Sequence, residues 1–483
     1  MVTPAWARHL PRGTDWTGLD LLAGRSIPAV AAAWAVAQPS APAFAPLTWE
    51  ALLARTEVVA GRLARLGLRA GDRLLCSASP SVDLVVAHLA ALRMGATVVP
   101  ANTAYGPGEL GHIVADAAPT AALVDVPGRV SGLPTFGPAV ELDDGPVPRL
   151  DEADTSDPAM ILYTSGTTGR PKGAVLSHGN LLASARAVTI AWRWTPGDRL
   201  VLALPLFHAH GLAVGVHGTL VAGASAVVLP RFDVDAVIDS VTGGATLLFG
   251  VPTMWSRLAS SPRGAALAAL RLCVSGSAPL SPDVFARVSE VCGQRIIERY
   301  GMTETLMLTS NPVDGRRRPG TVGLPLPGVT VRLDADGEIL VAGPSVFRGY
   351  RGVPPDEFFT VDGFFRTGDV GAWDADGYLR IVGRSKELII SGGFNVYPRE
   401  VEEVLLAHPA VAEAAVVGVP SDEWGEEVVA AVVLDAPVEE DDLIAWCRAR
   451  IAHFKCPRAV RTVPSLPRNA LGKVLRDQLR AAL

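Results

Sequence analysis

Ten consecutive residues, from Thr164 to Gly173, read T-S-G-T-T-G-R-P-K-G, and they stand between two apolar runs at 159–163 and 174–176. A stretch of small and hydroxyl-bearing residues between two apolar runs is a loop joining two strands. Gly166 and Gly169 let backbone N–H groups turn toward one point. Thr164, Ser165, Thr167 and Thr168 add hydroxyls, and Lys172 adds a positive charge. Donors of this kind wrap phosphate oxygens. The Walker A spacing, G-x-x-x-x-G-K-[ST], cannot be laid on the segment. A bare glycine turn would account for the glycines, but the full string is more specific than that.

The chain around this loop alternates between strand and helix. A helix begins at Thr48 as N-cap, carries Leu52, Val59, Leu63 and Leu66 on one face, and ends at Gly67. A strand at 72–78, a helix at 82–93 and a strand at 97–100 follow. Strand–helix–strand units of this length predict parallel sheet with crossover helices. Further strands are expected at 200–205, 224–229, 246–250 and 272–275. After about Thr321 the pattern changes to short β runs at 329–333, 338–341 and 377–382, with D-G turns at Asp336-Gly337 and Asp376-Gly377. Beyond Arg384 comes an α+β pattern, with helices at 398–407 and 441–451 and strands at 411–417 and 427–433. The expected fold class is α/β. A large N-terminal domain, 1–385, contains parallel-sheet α/β subdomains plus a small β-rich subdomain; a small α+β C-terminal domain, 386–483, follows.

Composition narrows the classes. A chain of 483 residues with 49% hydrophobic and 19% charged residues is globular and long enough for two or three domains. Lys and Arg number 43 against 49 Asp and Glu, a net charge of −6. A mildly acidic chain is a poor partner for nucleic acid. The five cysteines, Cys76, Cys273, Cys292, Cys447 and Cys456, show no C-x-x-C spacing and are expected to be buried free thiols. Residues 1–16 carry Arg8, Pro11, Arg12 and Asp15 without an apolar run, so a cytoplasmic protein without a signal peptide is expected. The stretch 211–230 has no Asp, Glu, Lys or Arg, but its glycines and His217 suit a buried helix and strand better than a bilayer span.

Six more motifs follow the loop in order: L-P-L-F-H at 204–208, G-S-A-P at 276–279, E-R-Y-G-M-T-E-T at 298–305, F-F-R-T-G-D at 364–369, G-R-S-K-E-L-I-I-S-G-G at 383–393, and P-R-N-A-L-G-K at 467–473. With the loop, this set resembles the acyl-adenylate-forming superfamily of acyl-CoA synthetases, peptide-synthetase adenylation domains and luciferases. The likeness covers residues from about 48 to 480.

That resemblance implies a chemistry. A carboxylate attacks the α-phosphate of ATP, pyrophosphate leaves, and a thiol then displaces AMP from the acyl-adenylate. Several negative charges meet in the first step, so positive charge and Mg²⁺ are needed at fixed points. By resemblance, Thr164, Ser165, Gly166, Thr167, Thr168, Gly169 and Lys172 hold the departing phosphates. Gly276, Ser277, Ala278 and Pro279 form the adenine turn, and Tyr300, Gly301, Met302 and Thr303 line the nucleotide, with Tyr300 stacked near adenine. Glu304 holds Mg²⁺, with Thr164 as its neighbour. Asp369 accepts the ribose hydroxyls and Arg384 supports the ribose. Lys473 bridges the acid and the nucleotide. The C-terminal domain turns about a hinge at Lys386 and replaces Lys473 with Ser391, Gly392, Gly393 and Phe394, which form the coenzyme A channel. Each group also has a plainer reading: Asp369 as a turn cap, Glu304 as a solvated helix charge, Lys473 as an exposed terminal lysine, Gly392 and Gly393 as an ordinary turn. His208 and His210 could be a metal pair, but no third ligand is evident nearby, and His208 more simply lines the acid pocket.

The acid pocket is expected to combine His208, residues 250–255, Ser275, Gly276, residues 301–306 with Met302 among them, and Arg299. A guanidinium there suits a second carboxylate. The runs F-G-V-P-T-M and P-G-T-V-G-L-P-L-P-G-V, with P-R-N at 467–469, resemble malonyl- and methylmalonyl-CoA synthetases. The F-N-V-Y-P that follows S-G-G departs from them and is similar to general acyl-CoA synthetases, which keeps a larger mono-acid as the alternative. For Arg299 the plainer reading is a structural salt bridge. No room is expected between Pro42 and Thr48 for a hairpin before the first helix. An enzyme loading a carrier protein, a luciferase-like oxygenase and a non-catalytic nucleotide binder are the other classes. Intact Lys473, Glu304 and Asp369 argue against the last.

Overall fold

The computed structural model describes the chain except residues 1–3, 12, 127, 165–170, 422 and 470–472. It divides into two compact units, Met1–Thr330 with Val341–Phe365, and Val331–Leu340 with Arg366–Leu483.

The first unit holds two sheets. One is six-stranded, in the order Thr135–Phe136, Ala121–Val124, Arg73–Ser77, Thr97–Pro100, Pro158–Thr164, Lys172–Ser177. Its first five strands are parallel and the last is antiparallel. The other is seven-stranded, in the order Leu324–Pro325, Leu306–Ser310, Ile297–Met302, Leu272–Ser275, Leu247–Gly250, Arg199–Leu202, Ser225–Val228. It is parallel from Ile297–Met302 onward, while Leu306–Ser310 returns antiparallel to Ile297–Met302. Apolar strands such as Ala121–Val124 and Leu247–Gly250 are buried along their whole length, as parallel strands covered by helices on both faces must be.

The helices match the residues that start and stop them. Thr48 caps Trp49–Arg65, its hydroxyl accepting from the Ala51 N–H at 3.2 Å, and Leu52, Val59 and Leu63 face the core. Ser81 caps Val82–Arg93 in the same way. The charge-free stretch 211–230 is a π-helical turn His210–Val216, a buried helix His217–Ala222 and the strand Ser225–Val228. Among the described residues no helix is long and apolar enough to cross a membrane. All five cysteines are buried and free.

Two features differ from the sequence expectation. A helix, Ile27–Ala37, precedes Trp49–Arg65. The 42–48 segment does turn back on itself: Pro42 bridges Thr48, Ala43 N–H donates to Leu47 O at 2.9 Å, and Phe44 bridges Ala226 beside the seven-stranded sheet. So short a hairpin needs only one bridged pair, and the edge of the larger sheet completes its hydrogen bonds.

In the second unit, Glu338–Ala342, Phe365–Trp373 and Leu379–Arg384 lie in one four-stranded sheet with Thr330–Leu333. Gly337 and Gly377 take φ of +83° and +76° in the D-G turns, which only glycine adopts without strain. A second sheet runs Phe394–Val396, Ile389–Ser391, Gly425–Leu434, Val411–Ser421, with Ala459–Thr462 beside Gly425–Leu434. Alternation along its long strands fills two cores. Val416, Val428 and Val432 pack with Val401, Leu405 and Leu443 from the helices Pro398–Leu406 and Glu440–Arg448. Ala415, Val417 and Ala431 pack with Leu479 of Arg476–Ala482.

Candidate active site

Thr164 and Lys172 are directly paired across the antiparallel strands Pro158–Thr164 and Lys172–Ser177. They form the base of the phosphate-type loop; Ser165, Gly166, Thr167, Thr168 and Gly169 lie outside the described residues. Neighbours brace this base. His112 Nε2 meets Pro171 O at 2.8 Å, the Tyr163 hydroxyl donates to Asp116, and Arg351 N–H donates to Gly173 O at 2.9 Å. The Lys172 ammonium stands 4.8 Å from the Phe358 ring centre and 5.6 Å from that of Tyr350.

Glu304 sits in a tight hairpin and not on a helix. Ile297–Met302 and Leu306–Ser310 pair as Gly301↔Met307 and Met302↔Leu306, leaving Thr303, Glu304 and Thr305 as the turn. A Cβ on Gly301 would overlap the Leu306 carbonyl, so the turn requires glycine there. The Glu304 residue is buried, and its Oε1 accepts from the Tyr350 hydroxyl at 2.5 Å. The Glu304 carbonyl accepts from Phe347 N–H at 2.8 Å, which ties the hairpin to the 341–351 segment. Tyr300, half-buried, lies opposite Thr309 on the same hairpin.

The G-S-A-P turn follows strand Leu272–Ser275. The buried Glu298 carboxylate anchors its far end, accepting from Leu280 N–H at 3.0 Å. Ser277 takes φ of +67°, unusual for a residue with a side chain, and its hydroxyl lies 3.2 Å from His210 Nδ1. Ser277 and Pro279 are exposed and Ala278 half-buried, so the turn presents a surface.

Behind that turn is a buried polar group. Arg299 is 4% exposed, and its Nε and Nη2 have no hydrogen-bond partner among the described residues. A Cβ on Gly276 would overlap the Arg299 guanidinium, so the glycine of G-S-A-P is what lets Arg299 extend past it. Burial pulls the Arg299 pKa down to about 9, which leaves it cationic at neutral pH. His208 and His210 face this charge. His210 N–H donates to His208 Nδ1 at 3.2 Å, which leaves the ring proton of neutral His208 on Nε2. Burial first, and Arg299 second, lower His208 to about 4 and His210 further below its usual value. His210 Nε2 and Ser275 Oγ are also buried without partners among the described residues. Gly250 packs against the Trp255 indole, closing one side with apolar surface. Among the described residues no group of three or more His, Cys, Asp or Glu is arranged to hold a metal.

The second unit carries the other predicted groups. Asp369 and Arg384 are paired residues of adjacent strands, with Arg384 Nε 2.9 Å from Asp369 Oδ1, and Asp369 is buried. A buried, ion-paired carboxylate is more than a turn cap. Lys473 is an exposed residue whose side chain lies in the same neighbourhood. Loss of solvent around its ammonium, then Arg384, lower its pKa, while Glu387 and Asp369 raise it. Asn469 closes its turn, N–H to Lys473 O at 2.9 Å and Oδ1 from Lys473 N–H at 3.0 Å; residues 470–472 between them lie outside the described ones. Lys386 lies in the short turn Ser385–Glu387, and Arg476 binds Glu387 at 3.1 Å. Ser391 ends the strand Ile389–Ser391, and Gly392 and Gly393 turn the chain at φ +58° and +81°. A Cβ on Gly392 would press on the Trp424 ring, whereas one on Gly393 would meet nothing, so backbone angle is what selects glycine at 393. Phe394, half-exposed, stacks on Phe454 at 4.5 Å.

Sequence reading left two neighbours of these groups without a role. His210 was visible only as half of H-A-H, and Tyr350 in G-Y-R carried no motif signal. Their places depend on contacts between segments far apart in sequence.

The Thr164–Lys172 strand pair, the buried Glu304 hairpin and the G-S-A-P turn are thus all carried by the α/β sheets of the first unit. A model of the AMP-binding enzyme family matches residues 31–351, and one of the AMP-binding enzyme C-terminal domain matches 400–473. The chain belongs to the AMP-binding enzymes, and within them it is an AMP-forming acid:CoA ligase. It is similar to a malonate–CoA ligase of Arabidopsis thaliana, 34% identical over 86% of this chain and 78% of that protein. It is similar to a feruloyl-CoA synthase of an Amycolatopsis species, 36% identical over 90% of this chain and 93% of that protein. Its fold matches the crystal structure of ATP-bound MatB from Rhodopseudomonas palustris, with a TM-score of 0.88, 40% identity, and coverage of 95% of this chain and 99% of that one.

Proposed function

We propose that this ligase activates a small dicarboxylic acid, malonate or methylmalonate, and transfers it to coenzyme A. The observation that carries this reading is Arg299: a buried cation, two of whose nitrogens lack partners among the described residues, with its charge felt by His208 and His210. An isolated buried charge is costly, and a carboxylate binding both nitrogens would offset that cost. The likeness to a malonate–CoA ligase agrees with it.

In the first step one oxygen of the acid's reacting carboxylate bonds to the α-phosphorus of ATP, and the bond to the bridging oxygen breaks to release pyrophosphate. The other carboxylate is held by Arg299. Neutral His208 offers an Nε2–H donor to the acid without adding charge. Thr164 and Lys172 mark the end of the site where the departing phosphates lie. Mg²⁺, when bound, shields the phosphate charges. Glu304 with Thr164 would hold it, and one buried carboxylate suits an ion that takes most of its remaining ligands from phosphates and water. Asp369 accepts the ribose hydroxyls, with its carboxylate oriented by Arg384. Lys473 donates to the developing charge between acid and phosphate. Turning about Lys386 then brings Ser391, Gly392, Gly393 and Phe394 to the site. The thiol attacks the acyl carbon, its proton is lost to solvent, and AMP departs.

The test is acid-dependent pyrophosphate release over malonate, methylmalonate, propionate, octanoate and ferulate, with and without coenzyme A or a phosphopantetheinyl carrier protein. Malonate or methylmalonate should give the highest kcat/KM, with thioester formed on coenzyme A. Preference for octanoate or ferulate would replace the dicarboxylate reading by that of a mono-acid, and transfer only to the carrier would replace the acceptor.

A further inference from the structure

Tyr350 belongs to none of the recognised motifs, yet it touches two of them. Its hydroxyl donates to Glu304 Oε1 at 2.5 Å, and its ring faces the Lys172 ammonium at 5.6 Å, with the Phe358 ring completing the shelf at 4.8 Å. The backbone fixes it there. Ala174 and Tyr350 form an antiparallel bridge, Val175 N–H donates to Gly349 O at 3.3 Å, and Arg351 N–H donates to Gly173 O at 2.9 Å. Phe347 and Phe358 pack edge-on against the ring at 4.9 and 4.7 Å.

We propose that Tyr350 is a positioning residue for adenylation, setting the separation between the Glu304 carboxylate and the Lys172 ammonium. A carboxylate and an ammonium on opposite sides of one side chain attract each other, and an ion pair between them would cancel the charges that a triphosphate and its cation need. Among the described residues Lys172 makes no ion pair, and Tyr350 contacts both groups. Its hydroxyl is a neutral donor that orients Glu304 without cancelling the charge. A ring face holds an ammonium only weakly, so a phosphate draws it off at little cost. The inference rests on the reading of Glu304 as the metal-holding carboxylate.

Three variants of the full chain separate these roles: Tyr350→Phe, Phe358→Leu and Glu304→Gln. Mn²⁺ binding in the presence of a non-hydrolysable ATP analogue is measured by electron paramagnetic resonance, and the ATP KM by acid-dependent pyrophosphate release. Tyr350→Phe keeps the ring and loses the hydroxyl, so Mn²⁺ binding should weaken about tenfold, as for loss of a hydrogen bond to a charged group. Phe358→Leu should raise the ATP KM about threefold and leave Mn²⁺ binding unchanged. Both should convert supplied acyl-adenylate to thioester at the parent rate. Parent-like Mn²⁺ binding by Tyr350→Phe, with Glu304→Gln impaired, overturns the role of Tyr350 alone. Parent-like binding by Glu304→Gln overturns the metal assignment and this inference with it. Equal loss in both half-reactions marks Tyr350 as merely structural.

Discussion

Arg93 and Arg299 lie in the same compact unit and are 5% and 4% exposed, yet their surroundings are opposite. Arg93 uses its whole fork. Nε and Nη2 reach the Asp151 carboxylate at 2.9–3.2 Å, and Nη1 donates to Thr56 Oγ1 at 2.6 Å and Leu53 O at 3.2 Å. Asp151 N–H returns a bond to Arg93 O at 2.7 Å. Arg299 leaves two of its three nitrogens unmatched among the described residues, and its charge is felt by two neutral histidines. A buried cation bonded by its own chain is scaffold. One that its own chain leaves unmatched is where the proposed second carboxylate of the acid would pair.

The comparison breaks or sharpens under substitution. Arg93→Leu strands the Asp151 carboxylate, so unfolding by denaturant should show a loss of about 3–5 kcal/mol. Its acid selectivity per folded molecule should stay as in the parent. A stability change below about 1 kcal/mol would mean that the two arginines do not differ as described. Gly276→Ala comes next. Its Cβ would displace the Arg299 guanidinium, which is the free end of a side chain and can move without disturbing backbone. A misplaced charge should lower kcat/KM for malonate about 10²-fold with little change in melting temperature, and unchanged malonate use would show that the glycine is not there for Arg299.

The smallest effect is in a titration. His208 is held at about 4 by burial and by the Arg299 charge. Its folded pKa lies below the ordinary 6.5, so its contribution to stability is present above pH 6.5 and is lost as pH falls toward 4. Arg299→Leu removes one of the two causes, so the His208 resonance should titrate at higher pH and acid should destabilise the variant less at this group. Arg93→Leu should leave that resonance in place. A His208 pKa unmoved by Arg299→Leu would place the guanidinium's charge elsewhere.

Much of the first unit was legible because its signals are local. Thr48 and Ser81 cap helices whose apolar faces the sequence displays, and strand 272–275 appears at its predicted bounds. The motifs also drew attention to Glu304, Arg299 and Asp369, all of which are buried. What sequence could not show was pairing at a distance. Whether Arg299 had a carboxylate partner depended on every acid in the chain, and it took coordinates to see that Glu298, its neighbour, bonds Leu280 instead. Tyr350 reaches Lys172 through a bridge spanning well over a hundred residues. The 42–48 hairpin was illegible because the strand that completes it lies near Ala226.

The most direct measurement is kcat/KM for malonate and for propionate in the parent and in Arg299→Leu, with melting temperatures of both proteins. Loss of one half of a buried charge pair costs about 2–5 kcal/mol. Malonate use should therefore fall between about 30-fold and several-thousand-fold, while propionate use changes little and the variant melts no lower than the parent. Equal loss on both acids, or a variant that unfolds as Arg93→Leu does, would contradict the account and make Arg299 part of the scaffold.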